Sequence, residues 1–184
     1  MTAEEPTWTL RPARPGDAAR LAEFGAATFA EAFGSDNDPT DLEQHLEASF
    51  GTPQQTAQIE DPDYRTLLAT RSSVRGEEEL VGYAQLRRSI PPDCVAVDRP
   101  VQLLRFYVIG AAHGRGLAQE LMAAAVRTGV ALGGQHLWLS VWEKNPRAIA
   151  FYAKEGFTDV GSADFWVGSD RQTDRILLRE IEEA

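Results

Sequence analysis

The segment from Val108 to Ala118 constrains the fold of this chain more than any other. It reads Val-Ile-Gly-Ala-Ala-His-Gly-Arg-Gly-Leu-Ala and separates a strongly apolar stretch at 101–109 from a helical pattern that begins near Leu117. A strand, a glycine-rich turn and a helix in this order expose backbone N–H groups at the positive end of the helix dipole, where phosphates bind. Glycine lacks a Cβ, so the backbone there can approach a phosphate closely. The segment therefore predicts an α/β fold with an anion site at the start of this helix.

Two common phosphate-binding motifs do not fit this segment. A Walker A loop ends in Gly-Lys-Ser or Gly-Lys-Thr, whereas Gly116 is followed by Leu-Ala. A dinucleotide fingerprint starting at Gly114 needs Gly or Ala at position 119, which is Gln119, and an acidic residue about 20 residues further on. Residues 130–142 contain no acidic residue. These mismatches argue against a nucleoside triphosphatase and against a dinucleotide-dependent oxidoreductase.

The rest of the chain predicts strands with helices interspersed between them. Strands are expected at 8–11, 64–71, 80–88, 101–109, 136–142, 157–160, 165–167 and 175–180. Helices are expected from a cap at Asp17, from about Thr40, from Leu117 to the Gly133-Gly134 pair, and from an Asn145 cap to Gly156. Both faces of 136–142 are largely apolar, which predicts a strand covered on both sides. The length of 184 residues suits one domain over 1–184.

The charge is unevenly distributed along the chain. The formal net charge is −10, and residues 1–63 hold 13 acidic but only three basic residues. This balance argues against general nucleic-acid binding, which needs a basic surface. The acidic third either keeps a surface solvated or attracts a cationic ligand.

Cysteine and apolar residues indicate the compartment. Cys94 is the single cysteine, so a reducing, cytoplasmic setting is expected. No run of about 18 apolar residues occurs, and the first 20 residues lack a signal-peptide core, so no membrane partner is expected. His45 and His136 have no second ligand at metal-like spacing, and no metal is expected.

Four segments in the same order resemble the motifs of the GNAT superfamily of acyl-CoA-dependent N-acyltransferases. The segment 113–118, His-Gly-Arg-Gly-Leu-Ala, resembles the Gln/Arg-x-x-Gly-x-Gly/Ala signature for the coenzyme pyrophosphate. The stretch 103–108 looks like the family's strand motif, 145–157 like its Asn-x-x-Ala-x-x-x-Tyr-x-x-x-Gly-Phe helix, and 10–18 like its opening strand and helix. The resemblance implies a GNAT-like mixed, mostly antiparallel central sheet, flanked by helices and with splayed central strands.

Three further segments, at 28–33, 138–145 and 168–174, resemble the PaiA-type spermidine/spermine N-acetyltransferases. The resemblance implies transfer of an acetyl group from acetyl-CoA to a primary amine of a polyamine or other small cationic molecule, by direct attack in a ternary complex. In the family the acceptor enters between the N-terminal helices and the closing hairpin, where the acidic excess falls. A homodimer is expected by analogy alone.

The resemblance also implies roles for individual residues. The Val108 backbone would bind the pantetheine arm, with its N–H polarising the thioester carbonyl, and Asn145 would contact the coenzyme. The pyrophosphate would be held by the loop residues His113, Gly114, Arg115, Gly116, Leu117 and Ala118.

Tyr152 is the candidate proton donor to the departing thiolate. A phenol with a pKa near ~10 suits a leaving group of similar basicity. On a helix that begins at Asn145, positions 145, 149 and 152 share one side, so Tyr152 is expected to face the cleft. The alternative is a core aromatic packed under the sheet.

Two positions depart from the family pattern. His113 stands where the signature has Gln or Arg, so a side-chain phosphate contact there would depend on pH. Gln102 stands where many members have a glutamate, and an amide cannot act as a general base near neutral pH. The base would then be water or another carboxylate, with Glu31 and Glu143 as candidates. A non-catalytic acyl-CoA-binding module stays open, as does an acetyltransferase for protein N-termini or an aminated antibiotic.

Overall fold

A computed structural model of the chain describes residues 8–72 and 76–182; the acidic residues Glu4 and Glu5 lie outside them. The strands are β1 (Trp8–Pro12), β2 (Tyr64–Ser72), β3 (Glu78–Arg87), β4 (Pro100–Val108), β5 (His136–Trp142), β6 (Thr158–Val167) and β7 (Asp170–Glu180). The helices are α1 (Ala18–Phe33), α2 (Pro39–Phe50), α3 (Thr52–Glu60), α4 (Leu117–Ala131) and α5 (Pro146–Lys154). None of these described helices is long and apolar enough to cross a membrane.

The strands form one open sheet in the order β1-β2-β3-β4-β5-β7-β6. Every neighbouring pair is antiparallel except β4 and β5, which are parallel. These two strands pair only over Pro100–Gln102 and His136–Trp138, and beyond that point they separate. The predicted mixed, mostly antiparallel sheet with splayed central strands is therefore confirmed.

Helices cover both faces of the sheet. On one face, Leu121 of α4 is buried against Leu137 and Leu139 of β5 in the largest apolar cluster, which the inner side of α5 also joins. On the other face, Leu21 of α1 is buried with Tyr83 of β3. This layering encloses the sheet at its centre and leaves the separating ends of β4 and β5 facing a cleft.

The double coverage predicted for β5 holds over only part of the strand. Trp138 is buried with Val95 and Ile176 on the face opposite Leu137, as predicted. Ser140, two residues further along, is exposed, because β4 has by then moved away from β5.

Two elements differ from the prediction. The helix α3 follows Gly51 and was not predicted, since its sequence is largely polar and its buried residue is the amide Gln55. The strand β6 is continuous, whereas two short strands were expected at 157–160 and 165–167. A register shift between Asp159 and Gly161 interrupts its pairing with β7 and explains why the sequence pattern looks broken there.

Asp17 occupies the N-cap position of α1, as predicted, but its side chain does not cap the helix. Its side chain makes no cap hydrogen bond to α1; it accepts two from Arg11 (2.8 and 2.9 Å), one from Arg20 (2.9 Å) and one from the Arg14 backbone N–H (2.8 Å). Arg11 and Arg20 also bind Glu78 of β3. The carboxylate thus joins β1, α1 and β3, and these donors, Arg11 foremost, hold the pKa of Asp17 far below its usual range.

We expect Asp17→Asn to lower the free energy of unfolding at pH 7 by about 2 kcal/mol, because charge-assisted hydrogen bonds are lost. A carboxylate whose pKa is lowered by folding stabilises the protein above its ordinary pKa of about 4, and this contribution disappears as pH falls through the lowered value. The difference between variant and wild type should therefore shrink below about pH 3. Urea unfolding at several pH values measures it.

The matched control for this experiment is Glu23→Gln, which removes an exposed carboxylate from α1, the helix that follows Asp17. It should change stability by less than about 0.5 kcal/mol at each pH. A loss in Asp17→Asn that is equally large at pH 7 and pH 2 would contradict the electrostatic explanation.

Candidate functional site

A cavity of about 600 Å³ opens where β4 and β5 separate. Its walls come from α1, β4, the loop before α4, the end of β5, α5 and the β6–β7 hairpin. Of the predicted site residues, the cavity is lined by Glu31, Val108, His113, Gly114, Ala118, Asn145 and Tyr152. Arg115, Gly116, Leu117 and Glu143 do not line it. The volume is typical of a small-molecule site.

The end of β4 presents a free strand edge to this cavity. Ile109 donates its N–H to the Val81 carbonyl, and Val108 is the partner of Gly82 in the antiparallel register with β3. Because hydrogen-bonded and non-hydrogen-bonded pairs alternate, the N–H and C=O of Val108 point away from β3. They face the side from which β5 has withdrawn, where an extended ligand can add to the edge.

The loop before α4 leaves open space over its glycines. Gly114 (φ +73°) and Gly116 (φ +88°) both lie in the left-handed region, and a Cβ added at either would have no atom within 4 Å. Gly116 begins the helix without a side-chain cap, and the first helical bond runs from Glu120 N–H to Gly116 C=O. The preceding N–H groups are thus available to an external anion, and this part of the site fits a diphosphate.

The buried side chain of Leu117 fixes the start of α4. It is fully buried in an apolar cluster with Ala69, Val81 and Ala112. Its side chain therefore cannot contact a ligand, and any contribution from Leu117 comes from its backbone N–H.

His113 is held by two partners within the protein. One ring nitrogen, Nε2, lies 2.9 Å from the Val108 carbonyl, and the other, Nδ1, contacts the Arg147 guanidinium. Arginine can only donate, so Nδ1 accepts and Nε2 carries the proton that is donated to Val108. Arg147 also lines the cavity, as do His113 and Gly114. Arg147 was not among the site residues predicted from sequence, although its place in the first turn after Asn145 is a usable signal.

Asn145 begins α5 as predicted. Its Oδ1 accepts a hydrogen bond from the Ala148 backbone N–H (3.1 Å), with Pro146 in the first turn. The side-chain cap leaves the amide nitrogen at the cavity wall, where it can donate to a ligand.

Tyr152 is half-buried and packs among aromatic rings at the cavity wall. Its ring centroid lies 5.5 to 6.3 Å from those of Phe106, Phe151 and Phe157. Burial, and then the neighbouring Tyr107, raise the pKa of the Tyr152 phenol well above its ordinary value. The phenol is therefore a weaker acid than the value near ~10 assumed from sequence. It keeps its proton throughout the neutral range.

The positions of the carboxylate candidates differ from one another. Glu31 lines the cavity and is exposed, whereas Glu143 is exposed and lies outside the lining. Gln102 is buried away from the cavity, where its Oε1 accepts hydrogen bonds from Arg87 (2.6 Å) and Ser89 (3.0 Å). Gln102 thus has a structural role near the start of β4.

Asp174 of β7 lines the cavity and was not identified from sequence as a site residue. Asp174 is 5% exposed, and its Oδ1 has no hydrogen-bond partner among the described residues. Burial raises the pKa of Asp174 to about 6, Glu143 adds to the rise, and the Ser140 side chain opposes it. The sequence pointed only to the segment 168–174, which resembles PaiA-type enzymes, because the burial of Asp174 is created by residues far apart along the chain.

The far end of the cavity combines aromatic rings with these carboxylates. Its rings are Phe29, Phe33, Trp142 and Phe165. Phe33 and Trp142 meet edge to face with centroids 6.0 Å apart. Ring faces and carboxylates both attract a cation. Within the described residues, no group of His, Cys, Asp and Glu side chains is arranged to hold a metal ion.

Comparison with known proteins places this cavity in context. Residues 29–157 match the Acetyltransferase (GNAT) family. An uncharacterized N-acetyltransferase of Mycobacterium bovis is 33% identical over 165 residues, which cover 90% of this chain and 98% of that protein. The streptothricin acetyltransferase of Streptomyces lavendulae is 27% identical over 173 residues, covering 87% and 86%. The structure of PaiA N-acetyltransferase from Thermoplasma acidophilum in complex with coenzyme A superposes with a TM-score of 0.72 at 17% identity, covering 95% and 99%.

Proposed function

Since the chain belongs to the acetyltransferase (GNAT) family and is an N-acetyltransferase, we propose that it acetylates a primary amine of a small cationic molecule, with polyamines as the acceptor class. The observation that carries this proposal is the composition of one continuous cavity. A free strand edge and a glycine loop lie at one end, and aromatic rings with carboxylates lie at the other. The first end suits acetyl-CoA and the second suits a cation.

The coenzyme is assigned to the β4 edge and the loop. The backbone of Val108 would bind the pantetheine arm as an added strand. The diphosphate would lie on the N–H groups around the start of α4, in the space above the glycines. The proposed contacts are Val108, His113, Gly114, Arg115, Gly116, Leu117, Ala118, Asn145 and Tyr152, to which the structure adds Arg147. Because His113 already binds Val108, its contribution is to position the loop, and Arg147 supplies the positive charge.

The reaction follows from this arrangement. The neutral amine attacks the thioester carbonyl, a C–N bond forms, and the Val108 N–H stabilises the negative charge on oxygen. The C–S bond then breaks with its electron pair on sulfur, the Tyr152 phenol protonates the thiolate, and the nitrogen passes its surplus proton to the tyrosinate. Both substrates must be bound together, because no protein nucleophile is needed to carry the acetyl group.

Two features support a polyamine as the acceptor. The segments that resemble PaiA-type enzymes include α1 and the β6–β7 hairpin, which form the acceptor end of the cavity. Glu31 and Asp174 both line the cavity, and Glu31 belongs to the acidic N-terminal third of the chain. A molecule with several positive charges is attracted by such a field.

One relative favours a second candidate, an aminated antibiotic. The streptothricin acetyltransferase matches this chain over most of both lengths. Streptothricin therefore belongs in the acceptor panel, together with a peptide that has a free N-terminus.

The proposal is tested by the release of free thiol from acetyl-CoA with spermidine, hexylamine, streptothricin and an alanyl peptide. We expect spermidine to give the highest kcat/KM. Lowering the salt concentration should raise kcat/KM several-fold for spermidine and little for hexylamine, because each exposed charge pair contributes about 0.2–1 kcal/mol and is screened by salt.

Each other result points to a different function. Identical salt profiles for spermidine and hexylamine would refute attraction by the acidic region. Turnover with streptothricin or the peptide alone would replace the polyamine as the acceptor. Coenzyme binding without release of thiol from acetyl-CoA in the presence of any of the amines would indicate a non-catalytic acyl-CoA-binding module.

A further inference from the structure

We propose that Asp174 is the general base that removes the proton from the acceptor's ammonium group, a role that rests on the proposed acetyl transfer to an amine. The chain lacks a carboxylate at position 102, and Gln102 is occupied by Arg87 and Ser89 away from the cavity. A base for the reaction must therefore come from another part of the cavity wall.

The buried carboxylate of Asp174 has a hydrogen bond from the Ser140 side chain, and its Oδ1 can accept a further one. The residue is 5% exposed, it lines the cavity, and Oδ1 has no hydrogen-bond partner among the described residues. A buried polar atom without a partner costs free energy, so such groups in native proteins call for a ligand or another specific reason. An ammonium group entering the cavity would supply the missing N–H donor and compensate the charge.

The position of Asp174 also links it to the reacting atoms. Asp174 pairs with Trp142 at the end of β5, where the sheet has opened. Its charge contributes to the raised pKa of Tyr107, and Tyr107 in turn contributes to the raised pKa of Tyr152. Asp174, Tyr107 and Tyr152 all line the same cavity. The proposed base and the proposed proton donor therefore border the space in which the reaction would take place.

The charged surroundings keep Asp174 suited to this task. The titratable and charged side chains that share its cavity are Glu31 on α1, Arg105 and Tyr107 on β4, His113 in the loop, Arg147 and Tyr152 on α5, with Glu143 just outside. Burial foremost raises the pKa of Asp174 to about 6. A base with a pKa slightly below the working pH is ionised and still accepts a proton readily. The exposed Glu31 lacks this burial.

The proton balance of the reaction is complete with these residues. The ammonium group gives one proton to Asp174 and becomes the neutral amine that attacks the thioester. As the C–S bond breaks, Tyr152 gives its proton to sulfur, and the nitrogen gives its surplus proton to the tyrosinate. Asp174 releases its proton to water, and the products are the amide, the free thiol of coenzyme A and one proton.

The test is the pH dependence of Asp174→Asn, measured with the amine that the wild type acetylates fastest in the panel above. At pH 7 we expect kcat/KM to fall by about 100-fold or more, because only the small neutral fraction of the amine can react. The loss should shrink about tenfold per pH unit as pH approaches the pKa of the amine, since the acceptor then arrives already neutral. The Kd for acetyl-CoA, measured by calorimetry, should stay unchanged.

Two further variants make the result interpretable. Asp174→Ser also removes the carboxylate, with a smaller side chain, and should show the same pH-dependent loss of kcat/KM as predicted for Asp174→Asn. It serves as the test if the Asn variant folds poorly. Glu180→Gln removes an exposed carboxylate from the same strand and should leave the wild-type profile intact.

Three outcomes would overturn the role of Asp174. Variants that keep wild-type activity at pH 7 would exclude it directly. A loss of constant size from pH 6 to pH 10 would show that the residue is structural. A wild-type protein that acetylates no amine would refute the proposed function itself, and this outcome is distinct because it appears before any variant is made.

Discussion

Tyr152→Phe is expected to lower kcat by about 100-fold while the Kd for acetyl-CoA stays within about twofold of the wild type. The substitution removes the phenolic proton that the thiolate would receive. It keeps the ring, which packs against Phe106, Phe151 and Phe157. Binding and folding depend on this packing, whereas protonation of the leaving group depends on the hydroxyl alone. Thiol release at saturating substrate measures kcat, and calorimetry measures the Kd.

Tyr64→Phe is the matched control for this experiment. Tyr64 begins β2 outside the cavity, and its hydroxyl accepts a hydrogen bond from Arg87. Removing that hydroxyl should leave kcat unchanged. Full activity of Tyr152→Phe would exclude Tyr152 as the proton donor, and an equal loss in both variants would indicate a general effect on the fold.

The fold was predictable because its main signals are local. Alternating apolar residues in β5, the cap at Asn145 and the glycine pair after α4 each act over a few residues, and the structure confirms all three elements. The helix α3 was not predictable in this way. Its polar sequence is held by contacts with α1 and β2, and the buried amide of Gln55 donates a hydrogen bond to the Ser49 carbonyl of α2 (3.2 Å). Such contacts leave no periodic apolar pattern.

The candidate site was predictable only where a motif lies within one segment. The loop around Gly114 and the helix face that carries Asn145 and Tyr152 belong to this class, and all three line the cavity. Asp174 belongs to the other class. Asp174 lies within β7, and its burial depends on residues of β4, β5 and α1 that line the same cavity, so the resemblance of 168–174 to PaiA-type enzymes did not by itself mark it as a site residue.

The missing carboxylate at position 102 was visible in the sequence, whereas the reason for the amide of Gln102 was visible only in the structure. The sequence correctly indicates that a carboxylate is absent at this position, and it leaves the base unassigned. The structure explains the amide, because Gln102 accepts hydrogen bonds from Arg87 and Ser89 in a buried setting. A glutamine there stabilises the start of β4, and in the proposed reaction the base is a carboxylate that lines the cavity, Asp174.

The double substitution Gly114→Ala and Gly116→Ala is expected to raise the Kd for acetyl-CoA by about 100-fold. Both residues have positive φ, and a Cβ at either would enter space that contains no protein atom within 4 Å. In the proposed complex the diphosphate fills this space, so the two methyl groups would push it away from the N–H groups of α4. Losing one or two charge-assisted hydrogen bonds, at about 1.5–3 kcal/mol each, accounts for a change of this size.

Backbone strain must be separated from this loss, and the chain offers a matched pair of glycines for the purpose. Gly76 (φ +77°) and Gly133 (φ +82°) are also left-handed with no atom within 4 Å of an added Cβ, and both lie outside the loop before α4. Alanine at these two positions should cost a similar amount of stability, about 1–2 kcal/mol per site, with no change in the Kd. Equal effects of the two double variants on the Kd would mean that strain weakens binding and that the loop does not hold the diphosphate. Equal losses of stability, with a change in Kd for the Gly114 and Gly116 pair alone, would assign the diphosphate to the loop. All four glycines share the left-handed backbone, and only Gly114 and Gly116 would face the bound diphosphate.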